Sequence, residues 1–485
     1  MTRFDDNIIL LTDSYKLTHH RLLPPEVRKV YSYLESRGGR WPETVFFGLQ
    51  PILNRIAGQV VTADKINEAE QFCAAHFGDP TIFNRKGWEH ILTEHAGRLP
   101  LEIRAVPEGL VVPTHNVLLT VENTCDEVPW LTNALETLLM QVWYPTTVAT
   151  YSWAVRRMIL RYLEETGDPS LIDSRLHDFG ARGVSSVESA AIGDCAHLVS
   201  FKGTDTIAGI LYAREHYDKP MAGFSIPASE HSTITAWGKG RELDAYENLL
   251  EAYPNGPVSC VSDSWSVYNA CENLWGGELR DKVLARNGTL VIRPDSGTPH
   301  EVVIEVLRIL ERKFGTTVNS KGYKELDPHV RLIQGDGIDY DEIHRILGSM
   351  KQSGFSASNI AFGSGGALLQ KHDRDEQKFA LKCSAVFDRS AWSDVWKDPV
   401  TDPGKASKMG RLKLTWRGNQ MVTVRDYESG QDLLRTVFLD GNITVRYSLT
   451  EIRIRALQEP TLPSPPESPA EREERWEIAE SHPGE

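Results

Sequence analysis

The chain has 485 residues, of which 40% are hydrophobic, enough for a large core and more than one domain. Its formal net charge of −14 argues against nonspecific nucleic-acid binding, and no apolar run approaches the length of a membrane span. The N-terminal residues lack the basic and apolar regions of a signal peptide, and the six cysteines are scattered without a CxxC pair. We therefore expect a cytoplasmic protein with free thiols and with no disulfide frame, zinc site, nucleic-acid partner or membrane partner.

The first third of the chain mixes strand and helix patterns. Strands are predicted at 30–34, 101–106 and 117–121, and helices at 43–57 and 63–77. Residues 131–166 have a helical pattern that we expect to break at Tyr144-Pro145.

Between residues 176 and 370, short apolar runs alternate with helical patterns. The seven runs are 176–180, 197–203, 222–228, 257–263, 289–295, 330–337 and 359–366, and the helical patterns are 205–217, 232–253, 266–286, 300–313 and 340–351. Such alternation predicts parallel βαβ units, and seven of them predict an α/β fold with a TIM-like, incomplete barrel. In such barrels the chemistry lies at the carboxyl ends of the strands, and the last loops bind phosphate.

The C-terminal part returns to short strands, predicted at 379–387, 411–416, 420–424, 436–438 and 443–447. We expect them to pair with the N-terminal strands in a second, mainly β domain. The predicted barrel domain comprises 8–27 and 131–375, and the second domain comprises 28–130 and 376–455. Residues 456–485 are rich in proline and charge, which predicts a disordered tail.

A glycine-rich turn follows the last apolar run. Gly363, Gly365 and Gly366 lie between a buried strand and a predicted helix, an arrangement in which successive N–H groups can bind one phosphate. The same pattern also occurs in tight turns without a ligand, so the motif alone leaves both interpretations open.

Three other runs end in carboxylates. Alternation along the strand puts Arg293 and Asp295 on one face, where they either contact a substrate or form a buried structural ion pair. Asp263 and Asp336 end two further runs, where a lone aspartate is commonly a helix cap. Together the three carboxylates favour a polyhydroxylated substrate with Mg²⁺.

Four more residues stand at strand ends, and three of them have two readings each. His231 either interacts with a phosphate or phosphoryl group or simply begins a helix, and Asp205 is either an amide acceptor or a helix cap. Phe179 offers a flat face to an aromatic substrate or belongs to the core, and Arg182 is an anion contact. Basic residues gather beyond the glycine turn, among them Arg374, Lys382 and Lys397.

Short segments spread over residues 8–455 together resemble the nicotinamide phosphoribosyltransferase family. The segments are 12–16 (TDSYK), 31–33 (YSY), 105–109 (AVPEG), 143–145 (WYP), 177–180 (HDFG), 182–186 (RGVSS), 201–206 (FKGTDT), 230–238 (EHSTITAWG), 292–297 (IRPDSG), 333–337 (IQGDG) and 362–366 (FGSGG). The resemblance implies a type II phosphoribosyltransferase that transfers phosphoribose from phosphoribosyl pyrophosphate (PRPP) to nicotinamide. It also implies a homodimer with shared active sites, Mg²⁺ as cofactor, and ATP as a co-substrate that phosphorylates His231.

The resemblance also implies residue roles. Phe179 and Tyr15 of the partner subunit would enclose the pyridine ring, and Asp205 and Arg293 would bind its carboxamide. His231, Asp263 and Asp295 would be catalytic, with Mg²⁺ held by Asp263 and Asp295. The residues implied for the phosphates, the pyrophosphate and the ribose are Asp13, Arg182, Gly335, Asp336, Gly365, Gly366, Arg374, Lys382 and Lys397.

Two alternatives are a nicotinate-using enzyme and a non-catalytic scaffold on the same fold. A carboxylate at Asp205 would repel nicotinate, and a scaffold would be expected to lose His231, Arg293, Asp295 or the glycine turn, all of which are present. Ala181 and Ala367 differ from the aromatic residue and the third glycine of animal members. Those two positions sit beside the expected site and bear on substrate affinity, whereas the short loop 36–42 and the tail suggest a bacterial-type member.

Overall fold

The computed structural model describes residues 6–402 and 405–458. The strands are β1 (Lys29–Ser36), β2 (Glu43–Val45), β3 (Leu101–Ala105), β4 (Val111–Pro113), β5 (Val117–Asn123), β6 (Leu176–Asp178), β7 (Gly203–Thr204), β8 (Val258–Val261), β9 (Leu290–Arg293), β10 (Thr316–Val318), β11 (Lys324–Leu326), β12 (Val330–Gln334), β13 (Ile360–Ser364), β14 (Phe379–Phe387), β15 (Trp392–Asp394), β16 (Leu412–Arg417), β17 (Gln420–Arg425), β18 (Arg435–Leu439) and β19 (Asn442–Ile443). The α-helices are α1 (Leu49–Ile56), α2 (Ala63–Phe77), α3 (Arg85–Glu94), α4 (Leu131–Ala134), α5 (Glu136–Met140), α6 (Trp143–Thr166), α7 (Val187–His197), α8 (Ile207–His216), α9 (His231–Thr235), α10 (Glu242–Ala252), α11 (Val267–Asn269), α12 (Arg280–Ala285), α13 (Pro299–Phe314), α14 (Tyr340–Gln352) and α15 (Leu449–Leu457). Within the described ranges, no helix combines the length and the apolar character needed to span a bilayer.

Six parallel strands form one curled sheet in the order β7-β6-β13-β12-β9-β8. Segment 222–228 connects its two edges. On the β7 side, Thr204 N–H donates to the Phe224 carbonyl at 3.0 Å and Phe224 N–H donates to Lys202 at 2.7 Å. On the β8 side, Ser259 N–H donates to Pro227 at 2.9 Å. The parallel strands therefore form a ring, as the predicted barrel requires.

Amphipathic helices cover this ring. Helix α13 begins with Pro299. Proline is tolerated there because the N–H groups of a first helical turn have no acceptor within the helix. The helix ends before Gly315, whose φ is +87°. Its buried side chains recur at helical spacing and pack on the sheet: Val302, Val303, Val306, Leu307 and Leu310. Sequence periodicity alone thus accounts for the position of this helix.

The second sheet is antiparallel and contains strands from both ends of the chain. Its order is β15-β14-β1-β5-β3-β18-β19. The N-terminal strands β1, β5 and β3 form its middle, and the C-terminal strands β14 and β18 pair with β1 and β3. An incomplete barrel with a second, mainly β part is the predicted fold class, which is confirmed.

A buried carboxylate links the two parts of the molecule. Glu108, in the turn between β3 and β4, accepts hydrogen bonds from Gly48 N–H at 3.1 Å, Gln50 N–H at 2.7 Å and the Tyr217 hydroxyl at 2.9 Å. Burial raises the pKa of Glu108, and the three donors offset part of that effect. Because Tyr217 follows α8 of the barrel, these hydrogen bonds fix the β part against the ring.

Three predicted strands were wrong in extent. Of the run 197–203, His197 ends α7 and only Gly203 joins β7, because a buried apolar run of this length fits a helix end as well as a strand. The run 222–228 makes isolated bridges in place of a regular strand, and Pro227 has no N–H to donate to a ladder. The C-terminal run 443–447 is strand only at Ile443.

Several predicted helices were also wrong in their boundaries. The pattern at 43–57 begins as β2, and α1 starts only after Gly48, which has a φ of +95°. The pattern at 232–253 splits into α9 and α10 around Gly238, whose φ is +82°. The pattern at 266–286 contains a π-helical stretch, Ala270–Glu278, and Pro145 lies in the first turn of α6 without breaking it.

Helix α15 was not predicted, and it extends to Leu457, inside the predicted tail. A capping box at its start, formed by Ser448 and Glu451, was the available sequence signal. The rest of the predicted tail, from residue 459 onward, lies outside the described residues.

Candidate active site

A cavity of about 730 Å³ opens at the carboxyl ends of the parallel strands. Eight of the residues singled out by sequence line it: Phe179, Arg182, Asp205, Arg293, Gly335, Asp336, Gly365 and Gly366. The loops after β6, β7, β9, β12 and β13 contribute these residues, as expected for a barrel of this kind.

Phe179 fits at the cavity wall because two residues beside its ring are glycines, which have no side chain. A Cβ on Gly363 would lie 2.0 Å from Cε2 of the Phe179 ring, and one on Gly335 would lie 3.4 Å from the same atom. The Arg293 guanidinium lies 5.4 Å from the ring centroid. The Phe179 ring can therefore occupy its position only because residue 363 has no side chain. The sequence analysis considered Gly363 only as part of a phosphate-binding turn and did not predict this role.

Gly365 and Gly366 differ from Gly363, since they lie at the cavity surface and nothing approaches within 3.3 Å of where their Cβ atoms would be. The turn leads into a π-helical stretch, Gly366–Gln370, and not into the predicted α-helix. This stretch has five residues, which is too short for a strong helix dipole, so any anion here would be bound through local N–H groups and neighbouring basic side chains.

Arg293 and Asp295 form a two-pronged contact at the end of β9. Arg293 Nε and one of its terminal nitrogens donate to Asp295 Oδ1 at 3.1 and 2.7 Å. Asp295 Oδ2 lies 3.4 Å from His231 Nε2, whose other ring nitrogen lies 3.2 Å from Ser264 Oγ. Asp295 therefore contacts both Arg293 and His231. The His231 side chain is 48% exposed.

Asp263 completes this cluster from the neighbouring strand β8. Ser296 Oγ donates to Asp263 Oδ2 at 2.5 Å, while Oδ1 lies 3.7 Å from His231 Nε2. Asp263 Oδ1 is buried and accepts no hydrogen bond from any residue that the structure describes. A buried carboxylate oxygen without a donor, beside a second carboxylate, fits a divalent cation bound through oxygen.

Asp205 directly follows β7 and lines the cavity. Its carboxylate accepts a hydrogen bond from Ser225 Oγ, and its N–H donates to the Asp178 carbonyl at 3.0 Å. Of the two readings of Asp205, the helix cap is wrong, because α8 begins after Thr206 and that cap makes no side-chain bond.

Two buried carboxyl groups lie beneath Asp205. Asp178 ends β6 and accepts a hydrogen bond from Gly180 N–H at 2.7 Å, and Asp194 on α7 accepts one from Thr204 Oγ1 at 2.6 Å. Each has a second, buried oxygen that accepts no hydrogen bond within the described part of the chain. Burial raises the pKa of Asp178, and burial together with the Asp178 charge raises that of Asp194 well above its usual range. We infer that the pair shares a proton, which bridges the two free oxygens.

The other sequence-selected residues lie outside the cavity lining. Asp13 accepts a hydrogen bond from Thr137, and the Tyr15 ring packs edge-on against His19. Lys382 on β14 is half-buried near Lys397, and burial lowers its pKa. Arg374 pairs with its neighbour Asp375. The structure therefore divides the predicted site residues into three groups. The first lines the cavity, and the second is the cluster His231, Asp263 and Asp295, which adjoins the lining through Arg293. The third group lies on the N-terminal segment and after β13.

Three serines at the site were missed by the sequence analysis. They are Ser225, Ser264 and Ser296, and each holds one of the predicted residues through its hydroxyl. The signal was available, because the dipeptide Asp-Ser occurs at two strand ends, 263–264 and 295–296. Each serine of these dipeptides contacts a residue of the other strand or of the neighbouring loop, which sequence spacing does not show.

Comparison with known proteins gives a consistent result. Residues 174–442 match the nicotinate phosphoribosyltransferase family model, and residues 7–103 match the N-terminal domain model of nicotinamide phosphoribosyltransferase. A nicotinamide phosphoribosyltransferase of Xanthomonas campestris pv. campestris (strain 8004) is 50% identical over 463 residues, 93% of this chain and 98% of that protein. One from Mycoplasma pneumoniae is 35% identical over 440 residues, 83% and 95% of the two chains.

Two solved structures share the fold at low sequence identity. Nicotinate-nucleotide pyrophosphorylase from Pyrococcus furiosus has a TM-score of 0.61 at 16% identity, covering 94% of this chain and 96% of its own. Human nicotinic acid phosphoribosyltransferase has a TM-score of 0.55 at 18% identity, covering 92% and 93%. These likenesses confirm the predicted type II fold.

The buried carboxyl pair generates a prediction about stability and pH. The folded state keeps the proton that the unfolded chain releases near pH 4, so the free energy of unfolding should fall as pH rises above that value. In Asp194→Asn, an amide N–H replaces the shared proton, and stability should fall less steeply between pH 5 and 8. Thermal unfolding followed by circular dichroism measures this, with Asp281→Asn, at a 98% exposed side chain, as control. Equal slopes in wild type and Asp194→Asn would contradict the shared proton.

Proposed function

Since the chain belongs to the nicotinamide phosphoribosyltransferase family, we propose that its cavity binds the two substrates of that reaction side by side. The chain transfers phosphoribose from PRPP to nicotinamide, giving nicotinamide mononucleotide and pyrophosphate, a reaction of NAD salvage. The observation that carries the proposal is the meeting of an aromatic ring, an amide-binding pair and a glycine turn in one cavity.

Nicotinamide is proposed to stack on Phe179, with its carboxamide between Arg293 and Asp205. Arg293 already lies over the edge of this ring, and its guanidinium N–H groups can donate to the amide oxygen. Asp205 accepts from the amide NH₂ on the other side of the mouth. Arg293 donates a hydrogen bond to Asp295, and Asp205 accepts one from Ser225. These bonds hold the two side chains in place before substrate arrives, which lowers the ordering cost of binding.

The reaction then needs little proton transfer. The bond from ribose C1 to the pyrophosphate oxygen breaks, and its electron pair leaves with pyrophosphate. The lone pair of the nicotinamide ring nitrogen forms the new bond to C1, and the ring becomes a pyridinium cation. The negative group at Asp295 can stabilise positive charge developing at C1, and the fixed ring orientation supplies the proximity.

The phosphates are proposed to lie between Gly365, Gly366 and the basic residues Arg182 and Lys371, which line the same cavity. Backbone N–H groups free of side chains suit the 5′-phosphate. Asp336, on the loop after β12, is proposed to bind ribose hydroxyls.

Mg²⁺ is proposed to bind Asp263 and Asp295. The buried Asp263 Oδ1, which accepts no hydrogen bond, supports this assignment. When bound, the ion would neutralise part of the charge of the pyrophosphate leaving group. Ser296 fixes the orientation of the Asp263 carboxylate, and Arg293 that of Asp295.

ATP is proposed as a co-substrate that phosphorylates His231. The ring is half exposed, next to the cavity residue Glu230, and its two nitrogens are oriented by Ser264 and Asp295. A phosphoryl group there would stand beside the carboxylates proposed to hold Mg²⁺, where it can stabilise the metal and the pyrophosphate site.

A homodimer with shared sites is also proposed, with the reaction located in the cytoplasm. Tyr15 is 58% exposed and belongs, with Lys382 and Lys397, to the group outside the cavity lining. Exposed apolar side chains on the barrel elements near the mouth, Val187, Ile207 and Phe224, suit a subunit interface. Such an interface would bring the third group of one subunit to the cavity of the other. Six free thiols are consistent with a reducing compartment.

The experiment that tests the proposed site supplies PRPP and Mg²⁺ with nicotinamide or nicotinate, each with and without ATP, and measures mononucleotide formation. We expect turnover of nicotinamide only, and stimulation by ATP. In His231→Gln, basal turnover should fall and stimulation by ATP should disappear. Retained stimulation in this variant would contradict the phosphorylation of His231, whereas product from nicotinate would favour the nicotinate-using alternative.

Asp205 is predicted to select the amide over the acid. In Asp205→Asn, the repulsion of the nicotinate carboxylate is removed while a hydrogen-bond acceptor remains, so the ratio of kcat/KM for nicotinamide over nicotinate should fall by about tenfold or more. Asp205→Ser should act in the same direction. An unchanged ratio would contradict the role of Asp205, and Asp218→Asn, at a neighbouring aspartate outside the cavity lining, is the control.

Two single substitutions distinguish the roles proposed for the glycines of the turn. Gly363→Ala places a Cβ inside the Phe179 ring position and should raise the KM for nicotinamide more than that for PRPP. Gly366→Ala adds a Cβ at an open position beside the proposed phosphate site and should raise the KM for PRPP instead. Steady-state kinetics with each substrate varied measure both effects. The opposite pattern would reverse the two glycine assignments.

A further inference from the structure

A second cluster of chemically reactive side chains lies in the β part of the molecule. His90 is on α3, His95 immediately follows that helix, and Cys125 lies two residues beyond the end of β5. One ligand atom from each residue lies within 4.8 Å of the other two. His90 Nε2 and Cys125 Sγ are 3.4 Å apart, and the two imidazole centroids are 5.8 Å apart. None of the three takes part in the reaction proposed above.

The backbone around the cluster is fixed. After His95, the chain reverses through Ala96 and Gly97, which have φ values of +51° and +75°. An alanine in this left-handed region is unusual, and the turn begins directly after His95, whose ring lies beside that of His90. On the other side, the Asn123 side chain donates to the Cys125 carbonyl at 2.7 Å. The three donors are therefore presented by ordered segments and not by a loose loop.

The surroundings favour a cation. Asp126, Glu127 and Asp440 place negative charge beside Cys125. Two imidazole nitrogens and one sulfur are the ligands that zinc and its chemical relatives prefer over magnesium or calcium. All three residues are half-buried, so a bound ion would be reachable from solvent.

We propose that His90, His95 and Cys125 bind a zinc-class divalent ion that joins the end of α3 to the end of β5. The Cys125 thiol gives up its proton to solvent as the metal–sulfur bond forms, and both imidazoles bind as neutral ligands. Three protein ligands leave the fourth tetrahedral position to water. The ion cross-links two elements far from the barrel mouth and thereby stabilises the β part.

The ligand pattern explains why the sequence analysis predicted no zinc site. His90 and His95 are five residues apart, a spacing that places them together only because the helix ends between them. Cys125 is a further 30 residues along the chain and has no second cysteine nearby in sequence. The cluster exists only through the packing of α3 against the loop after β5.

Cobalt(II) titration of the full-length protein, freed of metal by a chelator, tests the site. Cobalt bound to a thiolate gives a sulfur-to-metal charge-transfer band that cobalt bound only to oxygen ligands does not give. We expect this band to saturate at one equivalent per chain and to be displaced by Zn²⁺. Zn²⁺ should also raise the melting temperature of the wild-type protein.

Four variants make the result specific. Cys125→Ser should abolish the charge-transfer band, and His95→Gln and His90→Gln should weaken cobalt binding by roughly tenfold or more. Cys383→Ser, at another half-buried cysteine, should keep the wild-type spectrum. The proposal is overturned if the wild-type protein shows no saturable charge-transfer band, or if Cys125→Ser, with an unchanged circular dichroism spectrum, keeps it.

Discussion

The hydrogen bonds that segment 222–228 makes to both β7 and β8 are the constraint on which the catalytic cavity depends. They close the parallel sheet, and they do so at a segment that supplies functional groups itself. Ser225 holds Asp205, and three residues after the segment His231 reaches the carboxylates of the neighbouring strands. An open sheet would leave Asp205 and the His231 cluster on separate edges. The same few backbone contacts therefore determine both the shape of the ring and the width of the mouth.

The acidic groups around the mouth are each held by a hydrogen-bond donor. Asp263 and Asp295 lie together beside His231 and accept from Ser296 and Arg293, and Asp205 accepts from Ser225. Close to Asp205, burial raises the pKa of both Asp178 and Asp194, which favours their protonated forms and limits their repulsion of Asp205. A substrate with a positive reacting carbon and a negative leaving group thus meets fixed charges of the opposite sign. The side chains of the site therefore need little rearrangement during the reaction.

The sequence predicted the parts of this arrangement that depend on local periodicity. Helices α2 and α13 and the strand ends at Arg293 and Asp295 follow from hydrophobic spacing and chain order. The position of Phe179 against Gly363 does not, because these residues are 184 positions apart and meet only when β6 pairs with β13. Ser264 and Ser296 were missed for the same reason, since Ser264 contacts His231 of α9 and Ser296 contacts Asp263 after β8. Segments such as 197–203 failed because burial removes the alternation that distinguishes a strand from a helix.

The antiparallel sheet has a consequence for synthesis of the chain. Its middle strands β1, β5 and β3 are made first, but both of their partners, β14 and β18, follow the whole barrel. While the ribosome synthesises the residues between β5 and β14, the nascent sheet has two unpaired edge strands, whose apolar side chains are buried only in the complete fold. Such edges are sites for aggregation or for capture by chaperones, and a chain that stops before β14 keeps them permanently. Premature termination should thus be more damaging in the cell than the modest size of the missing C-terminal part suggests.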